Sequence, residues 1–129
     1  MGSRARVVLT LLLAAAMLGG CGLFGDVEDS VDGLYDRNTV LDNGTARGYA
    51  ATGAPTAVAA AIAGASQPIN RLTAGDRQYL QYDDEIVRVQ PGPGGSTVLV
   101  DDYANGYRRW AGDLSSVWGA QAPIDDDGK

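Results

Sequence analysis

The sequence predicts an α+β domain in which two helices pack on an antiparallel sheet of four or five strands arranged as a meander. Three observations predict it. An apolar stripe at helical spacing begins just after Asp26. An alanine-rich run starts at Pro55 and stops short of Pro68. Residues 78–110 alternate apolar and polar side chains between turn signals.

The chain begins with a different pattern. Arg4 and Arg6 form a short positive segment, followed by an apolar run over residues 7–17. That run is too short for a permanent membrane helix, which takes about 20 residues, and reads as an export signal. Leu18-Gly19-Gly20-Cys21 follows it. This stretch, with small residues ahead of a lone cysteine, resembles the lipobox of bacterial lipoproteins, which implies that the Cys21 thiol takes a diacylglyceryl group carrying fatty acyl chains of the palmitate kind and that cleavage occurs before Cys21. Two buried acyl chains anchor far more firmly than one, each methylene adding about 0.8 kcal/mol. The expected organisation is therefore a lipoprotein signal peptide over 1–20, a lipidated tether over 21–25, one α+β domain over 26–119, and an acidic disordered tail over 120–129. The expected location is the extracytoplasmic face of the cell membrane.

Cleavage would leave 8 basic against 16 acidic residues, a net charge of −8. That charge disfavours nucleic acid and anionic headgroups as partners. Cys21 is the only cysteine, so once it is lipidated the domain holds together without an internal disulfide.

Within the domain, Val27, Val31, Leu34 and Tyr35 fall on one face at i, i+4, i+7 and i+8, with Asp26 as N-cap. A first strand is expected near residues 47–51. Asn43-Gly44-Thr45 matches a glycosylation sequon, but Asn-Gly reads first as a turn. In the next helix, Pro55 suits the first position, while Val58, Ile62 and Ala65 line one face. Strands are expected over 78–82, 85–90, 96–102 and 107–110. The intervening turns are Asp83-Asp84, the Pro91-Gly92-Pro93-Gly94-Gly95 loop and Asn105-Gly106, the last being the strongest hairpin signal.

Those turns set a register. Tyr82 faces Glu85, Gln90 faces Thr97, and Ala104 faces Tyr107. Leu80, Val87, Val100 and Ala111 then form one row with Val89 and Val98 beside it, against the Pro55 helix. The opposite face carries Tyr79, Arg88, Leu99, Asp101, Tyr103, Arg108 and Trp110, with Arg88 largely exposed. Trp118-Gly119 closes the fold as a packing anchor.

The lipobox cysteine, Pro55-Thr56-Ala57-Val58-Ala59, the run from Tyr79 through Tyr82-Asp83-Asp84-Glu85 to Val87, Val100-Asp101-Asp102-Tyr103, Gly106-Tyr107-Arg108-Arg109-Trp110 and Trp118-Gly119 resemble a family of small Gram-positive lipoproteins classed as a domain of unknown function. The resemblance spans most of residues 35–119 and implies no activity. Members of that family often carry a longer glycine-rich C-terminus, where this chain has Ile124-Asp125-Asp126-Asp127-Gly128-Lys129.

Candidate chemistry is narrow. The chain has no histidine, which removes Ser-His-Asp, Cys-His and histidine-zinc sites, and its one lysine is Lys129. In the expected register Glu85 faces Asp102 with Asp84 and Asp101 one step away, and Arg109 faces Asp102. Like charges placed opposite each other destabilise a sheet, so arginine pairing or solvation is the default and a hard-cation site the alternative. Tyr79, Tyr103 and Trp110 are a candidate aromatic surface for glycan, weighed against core or edge cover. Asp125-Asp126-Asp127-Gly128 lacks the distal acid of a calcium loop, and the 91–95 loop lacks the lysine of a phosphate cradle. The expectation is a binding module without cofactor or catalytic residue, partnered by the membrane through Cys21 and by envelope proteins or cell-wall glycan. A cation-dependent accessory protein and a carboxylate-based cell-wall hydrolase are the alternatives.

Overall fold

The computed structural model describes residues 26–119. The expected signal peptide, lipobox, tether and acidic tail lie outside them. The elements run α1 (Val27–Leu34), β1 (Asp36–Arg37), a 3-10 turn (Thr39–Leu41), β2 (Arg47–Thr52), α2 (Pro55–Ala65), β3 (Asn70–Ala74), β4 (Arg77–Gln81), β5 (Glu85–Gly92), β6 (Gly95–Asp102), α3 (Tyr103–Arg109) and α4 (Ala111–Trp118). The class is α+β as expected, and the described residues form four helices and a six-stranded antiparallel sheet in place of two helices and four or five strands.

The strand order is β1-β2-β6-β5-β4-β3. Strands β3 to β6 form a meander. Tyr82 N–H donates to the Glu85 carbonyl across Asp83-Asp84, and Gln90 faces Thr97, as the sequence predicts. Leu80, Val87 and Val100 lie in one row, with Val89 opposite Val98. These side chains are fully buried with Tyr49, Val58, Ala59 and Ile62 and with Val27 and Val31 of α1. In α1, Asp26 occupies the N-cap position without a side-chain bond, and its carbonyl accepts from Asp29 N–H. Leu34 is 44 % exposed, because the helix ends there and Tyr35 is already extended.

The last expected strand is a helix. Residues 107–110 lie in α3 and its C-cap, so Ala104 does not face Tyr107 across a hairpin and Ala111 does not join the valine row. The reason is topological. A strand after β6 would need a free edge of β6, and both edges are occupied, one by β5 and the other by β2. The chain turns out of the sheet at Asp102, whose carboxylate accepts from Asn105 N–H and caps α3. Tyr107, Trp110, Leu114 and Trp118 then fall at helical spacing and bury the second sheet face with Tyr79, Ile86 and Leu99.

The sheet is thus covered on both faces, α1 and α2 on one and α3 and α4 on the other. Strand β3 was not expected. Leu72 and Ala74 alternate with exposed Arg71 and Thr73, and Gly75-Asp76 is the two-residue turn into β4.

Candidate functional site

A strand sends successive side chains to opposite faces, and this separates the acids that the sequence places together. Glu85 faces Asp102 as expected, but Asp101 pairs with Ile86 and points to the other face. Asp84 is exposed in the turn, and its carbonyl accepts from Tyr103 N–H. Asp102 is exposed at the α3 N-cap, with Asn105 Nδ2 donating to it at 2.6 Å. Asp84, Glu85, Asp101 and Asp102 therefore do not form one cluster.

Arginines hold the buried acids, with partners other than those expected. Arg109 pairs with Asp101 instead of Asp102. Asp101 is 1 % exposed, accepts from the Thr45 hydroxyl at 2.9 Å and also accepts from Asp102 N–H. Thr45 lies in the tight turn from Asn43 to Ala46, in keeping with the turn reading of Asn43-Gly44, and a Cβ at Gly44 would lie 2.5 Å from an Arg109 guanidinium nitrogen. On the other face, Arg47 bridges Glu28 of α1 and Glu85, the latter at 3.5 Å. Burial pushes the Glu85 carboxyl above the usual range, opposed by the Glu28 N–H it accepts.

A third lock joins the C-terminal helices to the sheet. Arg77 on β4 grips Asp113 on α4 through Nε at 2.8 Å and Nη2 at 3.1 Å, and the Tyr79 hydroxyl donates to the same carboxylate. The hydrogen bonds from Arg77 and then Tyr79 hold Asp113 below the usual carboxylate range. Burial, and next the hydrogen bond to Asp113, raise Tyr79 to about 12.

Of the candidate aromatic surface, Tyr79 and Trp110 are core, the reading weighed against a glycan platform. Tyr79 is 0 % and Trp110 4 % exposed, 6.0 Å apart at their ring centroids beneath the C-terminal helices. Tyr103 is half-buried, 5.8 Å from the Tyr107 ring, and accepts from Gln81 Nε2. Cys21 lies outside the described residues. Arg88 is half-buried, covered by the Tyr79 and Trp110 rings, where exposure was expected.

Sequence reasoning missed Glu28, Thr45, Arg47, Arg77 and Asp113. Their pairings are long-range and leave no local signal. Glu28 and Asp113 carry a weak hint, each as an acid in the first turn of a helix. Among the described residues no group of three or more acidic, histidine or cysteine side chains is placed to hold a metal ion, and no helix is long and apolar enough to cross a membrane. An open depression of about 570 Å³ between α2 and β3, lined by Ala60, Ala63, Gly64, Gln67, Ile69 and Arg71 among others, contains none of the expected site residues.

Fold and site together define a two-faced α+β domain whose buried carboxylates are each tied to an arginine. The chain belongs to the family described as Domain of unknown function (DUF4247), whose model matches residues 14–128. No curated protein and no solved structure matches the chain.

Proposed function

We propose that the protein is a lipid-anchored, non-catalytic binding module on the extracytoplasmic face of the cell membrane. The observation that carries this reading is the distance in sequence between the lipobox cysteine and the folded domain. Cys21 precedes Val27, the first core residue, by six positions, so even a fully extended connection spans only about 20 Å. A domain held so close to the lipid is tethered to the membrane surface, with the α1 end and its Glu28-Arg47-Glu85 bridge nearest the bilayer.

The ion pairs support the binding reading over the alternatives. Asp101 and Asp113 are fixed by arginine and hydroxyl donors, and Glu85 is held by Arg47 and a backbone N–H. Carboxylates committed in this way serve the fold, whereas a hydrolase needs one raised and one ionised carboxyl flanking open space. The net charge of −8 on the processed chain disfavours nucleic acid and anionic lipid headgroups as partners.

The test is Cys21→Ser in the native host, followed by membrane fractionation and mass analysis of the full chain. The wild type is expected in the membrane fraction with a mass increased by acyl groups, and the variant with that mass increment gone and no longer retained with the membrane. A variant that stays membrane-bound with the wild-type mass pattern would refute the anchor.

A further inference from the structure

Four arginines of the domain are half-buried: Arg47, Arg77, Arg88 and Arg109. Three of them meet carboxylates: Arg47 with Glu28 and Glu85, Arg77 with Asp113, and Arg109 with Asp101. Arg88 does not. Among the described residues no carboxylate lies within ion-pair distance of it. Its guanidinium lies instead over two aromatic rings, 5.8 Å from the Tyr79 centroid and 5.6 Å from that of Trp110. In a chain with 16 acids and 10 bases, a cation partly withdrawn from water without a counter-charge is the exception to how the molecule treats its other arginines.

The polar atoms around it are also unpaired. Arg88 Nε, Trp110 Nε1 and Gln90 Oε1 are buried without a hydrogen-bond partner. The two remaining atoms of this kind have explanations: Arg47 Nε lies against the Glu28 carboxylate, and the Tyr49 hydroxyl faces Asp32. Arg88 and Gln90 are two residues apart on interior strand β5 and therefore share a face, about 7 Å apart. Trp110 stands at the junction of α3 and α4, its ring 5.6 Å from the Arg88 guanidinium, so Arg88 and Trp110 lie together with Gln90 next on the same face of β5. The terminal nitrogens of Arg88, unlike Nε, are not among the buried unpaired atoms. Asp113, the carboxylate that feels the Arg88 charge, is already committed to Arg77 and Tyr79.

From this arrangement we propose that Arg88, Trp110 and Gln90 form a binding seat for a small oxyanion, the carboxylate or phosphate group of a ligand. The guanidinium offers paired N–H donors in the fork that matches such a group, and the two rings hold its plane in place before the ligand arrives. The Trp110 indole adds a third donor, and the Gln90 amide takes or gives a hydrogen bond to a hydroxyl beside the anion. Unpaired buried polar atoms in a folded protein call for a missing partner, and an oxyanion supplies one. This seat is independent of the membrane anchor and gives the binding module a ligand class.

The experiment is a titration of the ¹⁵N-labelled full chain, in non-ionic detergent micelles, with glucuronate as the carboxylate probe and glycerol 3-phosphate as the phosphate probe. The readout is the indole N–H resonance of Trp110. A saturable shift is expected with at least one probe at a Kd of about 1 to 10 mM, as suits one charged group on one seat, and the better probe identifies the headgroup. Arg88→Met, which keeps the packing on the rings, is expected to abolish saturation. Arg88→Lys, which keeps the charge but loses the fork, is expected to weaken it about tenfold. Arg71→Ala, an exposed arginine on β3, is expected to bind as the wild type does. Saturation undiminished in Arg88→Met or Arg88→Lys, equal weakening in Arg71→Ala, or no saturable shift with either probe would overturn the proposal.

Discussion

Gly106→Ala tests whether α3 is packed on the sheet as described. In an exposed helix, replacing glycine by alanine stabilises by about 0.8 to 1 kcal/mol, because glycine has more backbone freedom to lose. At Gly106 a Cβ would lie 2.2 Å from Ile86 Cγ2, 3.1 Å from Trp110 Cζ3 and 3.4 Å from Asp101 Cβ. Ordinary carbon contacts are about 3.5 to 4.0 Å. Ile86 is 0 % exposed and Trp110 4 %, so neither can move aside without disturbing the second core. Overpacking of this kind costs about 1 to 3 kcal/mol, enough to cancel the propensity gain and leave a net loss of up to about 2 kcal/mol. Gly112 in α4 is the internal control, since nothing lies within 4 Å of its would-be Cβ. Gly112→Ala is therefore expected to stabilise by up to about 1 kcal/mol. Urea denaturation of both variants, with Gly106→Ala/Ile86→Leu to remove the clashing Cγ2 methyl, gives the comparison. If Gly106→Ala stabilises as much as Gly112→Ala, α3 does not rest on Ile86. The same result would return Asn105-Gly106 to consideration as a hairpin turn.

Two further predictions address the ion pairs. Asp101→Ala strands a half-buried Arg109 and removes the acceptor of the Thr45 hydroxyl. Losing one partner of a buried pair costs about 3 to 5 kcal/mol, and the 23 % exposure of the Arg109 side chain brings the expected value to about 2 to 3 in urea unfolding. Exposed Arg108→Ala is expected to stay within about 0.5, and comparable costs for the two would disprove the lock. The pH dependence of Asp113 has a definite sign. Its folded pKa is depressed by Arg77 and Tyr79, so its stabilisation is present above the ordinary value of about 4 and is lost as pH falls through the folded value. Denaturation midpoints of the wild type should drop more steeply below about pH 4 than those of Asp113→Asn. Equal slopes would show that this carboxylate is not held as described.

The sequence by itself determined the elements whose signals are local. Pro55 and the spacing of Val58 and Ile62 define α2 to the residue, and strict alternation around the Asp83-Asp84 and Pro93-Gly94 turns sets the β4-β5-β6 register and the Leu80-Val87-Val100 row. That register also places Glu85 opposite Asp102, because period-two geometry needs nothing beyond neighbours in sequence. The tertiary structure decided what depends on which edge or face is already taken. Strand β2 occupies the second edge of β6, so Asn105-Gly106 became part of a helix although its dipeptide favours a turn. The helical cover then buried Tyr79 and Trp110, which alternation alone leaves facing outward. The arginine partners lay beyond the sequence for the same reason. Asp101 and Asp102 are adjacent in the chain but on opposite faces, and Arg109, Thr45, Arg47 and Glu28 reach their acids only after the sheet and both helical layers have assembled.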